Sequence, residues 1–500
     1  MGVPRVSSLR VHAVNDEKVR PDGRFVLYWM IAQRRTRFNF GLQHAMHQAA
    51  LLKKPLIVLE ALRVGYRWAS PRLHRFVMDG MADNAKRFAG SGIAYHPYLE
   101  PSAGHGSGLL EALAGESALV VTDEFPCFFL PRMVRAAGAK LADLGVRLEE
   151  VDGNGALPLR IAEKTYYAAN HFRRFLQREL PRFLEDEAFP LADPLALAYE
   201  LPHATVPAAV LTRWPAAEAK LLAGDATDFL ASLPLDHEVE TVPYRGGEVA
   251  ATEVLKRFMD SKLKRYGEAR NEPEEDVPSG LSPYLHFGHI SVHEVLRRLF
   301  ERDGFSVETI APKPNGSREG FWNLSPEGEA FFDEVITWRE IGYNFSFLRE
   351  DYDQWESLPL WARQTLEAHA SDERQYVYSR DELERAKTHD PLWNAAQLQL
   401  RKEGRIHNYL RMLWAKKILE WTPDPKTALH LLIELNNRWS TDGRNPNSYS
   451  GIFWTLGRFD RPWGPERKVF GTIRYMSSDN TAKKVRVKGY IQRYLGRGLL

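Results

Sequence analysis

RFVLYWMIAQRRTRFNFGLQHAMHQAALLKKPLIVLEAL spans residues 24–62. Two apolar runs of strand length flank a segment with apolar residues at helical spacing. RFVLYWMI (24–31) reads as a buried strand, NFGLQHAMHQAALLKK (39–54) as a helix and PLIVLEAL (55–62) as the next strand. Parallel strands need a long crossover, and a helix is the usual one. The same alternation continues through IAYHPYLE, SGLLEALAGE, SALVVTDE, MVRAAGAKLADLG and VRLEEVDG. The pattern predicts an α/β domain with a parallel, Rossmann-like sheet whose ligands sit beyond the carboxyl ends of the strands. No GxGxxG follows the first strand, so the ordinary dinucleotide fingerprint is missing.

Further along, KTYYAANHFRRFLQRELPRFLED (164–186) reads as a helix ending near Pro181. A Pro/Ala/Leu-rich stretch of poor periodicity follows, and from about residue 246 the pattern is helical almost throughout. The expected organisation is an α/β domain over 20–187, a linker over 188–245 and an all-α domain over 246–495.

Composition narrows the function. The chain has 500 residues, enough for more than one core. It has no apolar run of membrane-spanning length, and its N-terminus lacks the apolar core of a secretory signal. Cys127 is the single cysteine, which excludes an internal disulfide and any cysteine-held cluster or zinc site. No metal site is expected. Net charge is only +2, yet residues 401–500 hold 20 Lys and Arg against 8 Asp and Glu. Of 13 tryptophans, 10 lie after residue 320. Basic residues interleaved with aromatics suit a nucleic acid, because phosphates attract the cations and bases stack on the rings. A merely solvated basic surface is the plainer alternative.

Four segments carry chemistry-bearing residues. In EVITWREIGYNF, Glu334 and Trp338 are four apart and share a helix face. The pair suits recognition of a planar polar ring; equally, Trp338 could anchor a core with Glu334 in solvent. In WNAAQLQLRKEGRIHNYLRMLWAKKILEW, Pro391 opens one helix and Gly404 ends it. Trp393 lies on that helix, and Trp414 and Trp421 on its successor, two turns or roughly 10 Å apart. Such indoles either fill a core or relay electrons. LNNRWSTDGRNPNSYSGIFW joins Asn436 through a polar turn to Phe453 and Trp454. In VPSGLSPYLHFG, Ser279, Gly280 and Ser282 precede a helix near Pro283, whose N–H groups would suit a pyrophosphate. A plain capped helix reads the same way.

Together GLSPYLHFG, WNAAQLQLRKEGRIHNYLRMLWAKKILEW, DGRNPNSYSGIFW and FGTIRYM resemble the signature stretches of class II cyclobutane pyrimidine dimer photolyases. The resemblance covers residues 24–495 and is strongest over 279–480. It implies a light-dependent DNA-repair enzyme, in which reduced, anionic FAD in the helical domain gives an electron to a flipped-out dimer. By position, Tyr266, Ser279, Gly280, Leu281 and Ser282 would hold the FAD phosphates and ribityl chain. Asn436 would face flavin N5, Asp442 the ring edge, Asn447 a closing wall, and Arg411 would favour the anionic form. Trp338 and Trp454 would flank the dimer, with Glu334 bonding a damaged base and Met412 packing on it. Trp393, Trp414 and Trp421 would carry electrons from the surface to an oxidised flavin. Arg461 and Trp463 would fill the gap in the duplex, with Arg474 and the tail lysines on phosphates.

The resemblance also implies a second, antenna chromophore of open identity, a monomer, and no membrane partner. It implies a DNA-associated protein, cytoplasmic in a bacterium or nuclear in a eukaryote. Three positions depart from the family pattern: Leu413 stands for Tyr, and Asn437 and Asn445 each stand for Asp. The AQRRTRFNF stretch departs as well. The alternative reading is a cryptochrome-like blue-light receptor without repair activity. Lys416 and Lys417, beside the tryptophans, are expected in solvent.

Overall fold

The computed structural model describes residues 2–496, and the chain divides into two compact units. The first takes the chain up to Ile161, then Glu179–Lys256 and Leu281–Arg302. The second takes Ala162–Arg178, Arg257–Gly280 and the chain from Asp303 onward. The expected ranges were contiguous; these units interleave, because Arg173 pairs with Asp333, 160 residues away. Short-range periodicity carries no trace of such a partner.

The first unit holds a six-stranded sheet in the order β1-β6-β5-β2-β3-β4. Its strands are β1 (Val11–Ala13), β2 (Phe25–Trp29), β3 (Leu56–Leu62), β4 (Ala94–Leu99), β5 (Ser117–Asp123) and β6 (Leu148–Val151). All neighbours are parallel except β1, which runs antiparallel to β6 at one edge. At three partly exposed residues, β1 is too short to show a pattern, and it precedes the expected domain. Every residue of β2 and β5 is buried, as continuous apolar runs in a parallel sheet require. The crossover helices are α1 (Phe40–Leu52), α2 (Pro71–Phe88), α3 (Leu109–Glu116) and α4 (Leu130–Asp143). Asn39 caps α1 by accepting from the Leu42 N–H, and Ser70 caps α2 just before Pro71.

The expected linker is not a bare connector. Its short helices bury Leu222 and Leu230 in a cluster with Val77, Met78 and Met81 of α2. The strand order reverses between β2 and β5, where an open α/β sheet offers its ligand crevice. Here the Asp123 carboxylate, fully buried, accepts from the N–H groups of Ile31, Ala32 and Gln33 at 2.8–2.9 Å. The donors that would face a phosphate are thus bonded within the protein.

The second unit is helical. Its segment from the earlier part of the chain is α5 (Ala169–Glu179), all but its last residue. The helices that matter for the site are α6 (Arg339–Leu348), α7 (Pro391–Glu403), α8 (Asn408–Trp421), α9 (Pro425–Trp439) and α10 (Pro446–Thr455). The stretch Asp333–Trp338 leading into α6 is a π-helix, a form that concentrates at functional sites. Asp390 caps α7, and Gly404 ends it at φ 64°, a left-handed conformation natural to glycine. Asp424 caps α9, and Asn445 caps α10 by accepting from the Asn447 N–H. Among the described residues no helix is long and apolar enough to cross a membrane.

Candidate active site

Within the second unit a cleft of about 820 Å³ opens beside α5 and α10. Trp338, Trp454, Arg461 and Arg474 line it, so four residues singled out in the sequence converge on one cavity. In the run Phe331–Glu340 only Glu334 and Trp338 are not buried. The sequence could not show the opposite wall: Ala168, Ala169, Asn170 and Arg173, then Gly316, Ser317, Arg318 and Glu319. That wall is fixed by Arg173, whose guanidinium donates twice to Asp333, at 2.8 and 3.0 Å, with both side chains buried. A parallel bridge between Ala168 and Phe459 closes the same side.

Glu334 does not line the cleft. Its carboxylate pairs with Arg270 at 2.8 Å, and the same guanidinium lies 5.5 Å from the centre of the Tyr266 ring. Burial raises the Glu334 carboxyl above its usual range, against the pull of Arg270. Tyr266 is packed edge-on between Phe258 and Phe331, and burial holds its hydroxyl protonated. Arg270 went unnoticed in the sequence, although its i,i+4 spacing from Tyr266 was a readable signal.

A third group lies on α8, α9 and the turn after α9. Arg411 Nη2 meets Asp442 Oδ1 at 3.3 Å, and among the described residues no second partner takes its remaining donors. Asn436 donates to Ser448 Oγ at 2.6 Å and to Asn437 Oδ1 at 3.2 Å. In α8, Arg411 and Met412 are partly exposed while Leu413–Leu419 are all buried. Met412 does not line the cleft either. Asn437 accepts from the Arg444 N–H at 2.8 Å and donates to Tyr449. With Asn at 437 and 445, Arg444 directs its guanidinium to the carbonyls of Asn437, Ser440 and Thr441. A half-exposed guanidinium with spare donors, a carboxylate and an amide form a donor set that fits the polar edge of a flavin. Asn447 is exposed, and its main-chain N–H donates to Asn445 Oδ1 at 2.8 Å.

The three tryptophans of the expected relay come together. All are at most 2% exposed. Trp393 and Trp414 lie with parallel rings 6.5 Å apart, and Trp393 meets Trp421 edge-on at 5.5 Å. Trp414 donates its indole N–H to Gln397 Oε1 at 2.8 Å. None of the three reaches the surface itself. Tyr378, 5.4 Å from Trp421, and the exposed His389, 5.3 Å away, continue the aromatic contacts outward. Leu413 is buried at 1% exposure and offers no ring.

The two lysines correct the solvent expectation. Lys416 is 1% exposed and Lys417 is 8% exposed. Lys416 donates to the Thr455 carbonyl and lies 5.7 Å from the Trp454 ring centre. Lys417 pairs with Glu420 at 2.8 Å and lies 5.3 Å from the Trp421 ring. A lysine stem is apolar enough for the side chain to lie in solvent or under other residues, so helix position alone does not decide its burial.

At the cleft rim, Trp463 sits between Arg461 and Arg474, at 4.5 and 4.0 Å from their guanidinium carbons. Asp460 accepts from Arg474 at 3.0 and 3.2 Å and from the Trp463 indole at 3.1 Å. In the tail, Arg486 is held by Glu272 and Glu275, while Lys483, Lys484 and Lys488 are exposed. The serine-rich turn divides: Ser279 and Gly280 end a segment of the second unit, and Leu281 and Ser282 open one of the first. Its helix, Ser282–His286, has five residues, and Gly280 is left-handed at φ 72°. Among the described residues no group of three or more His, Cys, Asp or Glu could hold a metal ion.

No family model matches the chain. It is 34% identical to the deoxyribodipyrimidine photo-lyase of Methanothermobacter thermautotrophicus over 490 residues, covering 97% of this chain and 98% of that one. It is 35% identical to the deoxyribodipyrimidine photo-lyase of Oryza sativa, covering 96% of this chain and 89% of that one. The corresponding protein of Potorous tridactylus is 31% identical, with 96% and 83% covered. Among solved structures, a class III photolyase from Agrobacterium tumefaciens superposes with a TM-score of 0.68 at 19% identity, covering 95% of this chain and 86% of that one. That likeness shows the shared fold: an α/β sheet domain followed by a helical region. On near-full-length identity above 30%, the chain belongs to the deoxyribodipyrimidine photo-lyase family of enzymes.

Proposed function

We propose that this protein splits cyclobutane pyrimidine dimers in DNA with light, acting on a dimer turned out of the duplex into the cleft walled by Trp338 and Trp454. The observation that carries this reading is the cleft itself. Its volume of about 820 Å³ lies in the range of ligand sites that bury most of their occupant. Two indoles give flat apolar walls, and arginines stand at the rim where phosphates would pass. Turning a base out of the stack is how enzymes that act on bases, photolyases among them, reach their target, and a damaged pair costs less to extrude.

Reduced FAD, when bound, supplies the excited-state electron that cleaves the cyclobutane ring and then returns. The residues that would hold it are Tyr266, Ser279, Gly280, Leu281, Ser282, Arg411, Asn436, Asp442 and Asn447. Arg411 favours an anionic ring, and its attachment to Asp442 fixes its direction. Glu334, whose carboxyl burial raises above its usual range against the pull of Arg270, would hydrogen-bond a damaged base. Trp393, Trp414 and Trp421 would pass electrons inward when the flavin is oxidised. A cleft of this size beside two indoles favours repair over a purely signalling photoreceptor.

The antenna chromophore, the class II assignment, the monomeric state and the cellular compartment belong to the same proposal. The test is dimer content in UV-irradiated DNA after incubation with the reduced protein, in blue light and in darkness. Loss in light alone supports the reading, whereas equal loss or none overturns it.

A further inference from the structure

The lysines of α8 sort the indoles by charge. Lys416 is buried against Trp454, and its one hydrogen bond goes to a neutral carbonyl. Arg474 stands 5.4 Å from the same ring. Trp393 and Trp414 differ: among the described residues no cation lies over either ring. Their N–H groups donate to a main-chain carbonyl and a neutral amide. Lys417 does face Trp421, but Glu420 pairs with it.

Oxidising an indole places positive charge on the ring, and a cation beside it opposes that change. At 5.7 Å and an effective dielectric of about 20, the opposition amounts to roughly a hundredfold in the oxidation equilibrium. Trp454 needs such opposition, because it lies near the same polar group as Trp414. Trp454 is six residues along α10 from Ser448, which bonds Asn436, or about 9 Å of helix. Trp414 is three residues along α8 from Arg411, which pairs with Asp442.

Resting on the photoreduction reading above, we infer that Lys416 is an electrostatic insulator: its charge keeps Trp454 from giving up an electron and confines oxidation to Trp414 and its neighbours. The suppressed step moves one electron from the Trp454 ring to a photoexcited flavin. No bond breaks, the indole keeps its N–H proton, and an added thiol reductant later restores the electron. The lesion wall thereby stays neutral while the relay is oxidised. The charged groups acting on the ammonium are Asp460 and Arg474. Burial pushes the Lys416 ammonium down to about 7, with Asp460 opposing and Arg474 adding to the fall.

The test uses the flavin-loaded Trp414→Phe protein with thiol present. At a pH of about 6, where the ammonium is charged, its photoreduction is blocked. Adding Lys416→Met restores photoreduction by on the order of tenfold or more. A Trp454 radical then appears by transient absorption and electron paramagnetic resonance, and both signals vanish with Trp454→Phe. A second measurement leaves Lys416 in place. Photoreduction of Trp414→Phe rises between about pH 6 and pH 8.5 but stays flat in Trp414→Phe/Trp454→Phe. If neither the methionine nor the higher pH yields a Trp454 radical, the insulator role is overturned. If Trp414→Phe alone photoreduces like the unaltered protein, adding Trp454→Phe decides: loss of photoreduction overturns the insulator role, and its persistence means that the relay reading underneath is what fails.

Discussion

The indole N–H of Trp393 donates to the main-chain carbonyl of Trp414 at 3.0 Å, and the two rings lie within 1° of parallel. One hydrogen bond thus fixes the separation of two oxidisable groups on neighbouring helices. Trp414→Phe keeps the aromatic volume and removes the oxidisable ring. It is expected to abolish photoreduction of the oxidised protein while leaving repair intact once the protein is chemically reduced. Flavin absorbance under blue light, followed by dimer counting after dithionite reduction, separates the two effects.

Lys416 gives a stability prediction with a definite sign. Its folded value of about 7 lies below that of a solvated lysine. Both states are protonated below pH 7; between about pH 7 and pH 10.4 the unfolded chain binds more protons, so stability rises with pH across that window. The gain is about 5 kcal/mol over the full window. Urea unfolding at several pH values should show this rise in the unaltered protein and a flatter profile in Lys416→Met.

The buried Arg173–Asp333 pair ties α5 to the π-helix that carries Glu334 and Trp338. Losing Arg173 leaves Asp333 with only the longer contact to Arg318 at 3.8 Å, and breaking such a buried pair costs up to about 3–5 kcal/mol. Arg173→Leu is expected to lower the urea midpoint accordingly and to loosen the cleft. The check on the cleft is binding of a dimer-containing oligonucleotide. It should weaken more than binding of the same undamaged sequence.

Arg474 and Trp463 separate phosphate contact from filling the gap. Arg474→Ala is expected to weaken damaged and undamaged DNA alike and to reduce the salt dependence of binding by about one ion. Trp463→Ala should leave that slope unchanged and cost about 1–3 kcal/mol on damaged DNA alone, the worth of one stacked base. Fluorescence anisotropy across a salt series measures both.

Several features of this architecture are legible in the residues. The apolar runs from Phe25 and Leu56, separated by a helix-length segment, specify parallel strands, because that connection allows little else. Pro391 and Gly404 delimit α7 through backbone chemistry that acts locally. What stays hidden depends on distant partners. Nothing near Arg173 announces Asp333, so the interleaving of the two units has no sequence signal. The π-helix at Asp333–Trp338 leaves Glu334 and Trp338 only partly buried on a turn that reads as an ordinary helix. Lys416 shows the same limit from another side. Whether a lysine is solvated is decided by what covers it, here Thr455 and Trp454.

The candidate site divides in the same way. Trp338, Trp454, Arg461 and Arg474 were named from sequence and meet in one cleft, whereas Glu334 and Met412 stand outside its lining. The Gly316–Glu319 wall came only from the fold, whereas Arg270, which holds Glu334, carries a readable i,i+4 spacing from Tyr266.

The central claim is a light-driven splitting of a dimer held between Trp338 and Trp454. Its most direct test uses an oligonucleotide with a single cyclobutane dimer and the pre-reduced protein, unaltered and as Trp454→Ala. Dimer loss is counted after equal times in blue light and darkness. The account predicts complete loss in light and none in darkness for the unaltered protein. It predicts that Trp454→Ala requires roughly 5- to 150-fold more protein for the same loss, the cost of one lost stacking surface. Equal loss in light and darkness, no loss at all, or an alanine variant that works as well as the unaltered protein would contradict it.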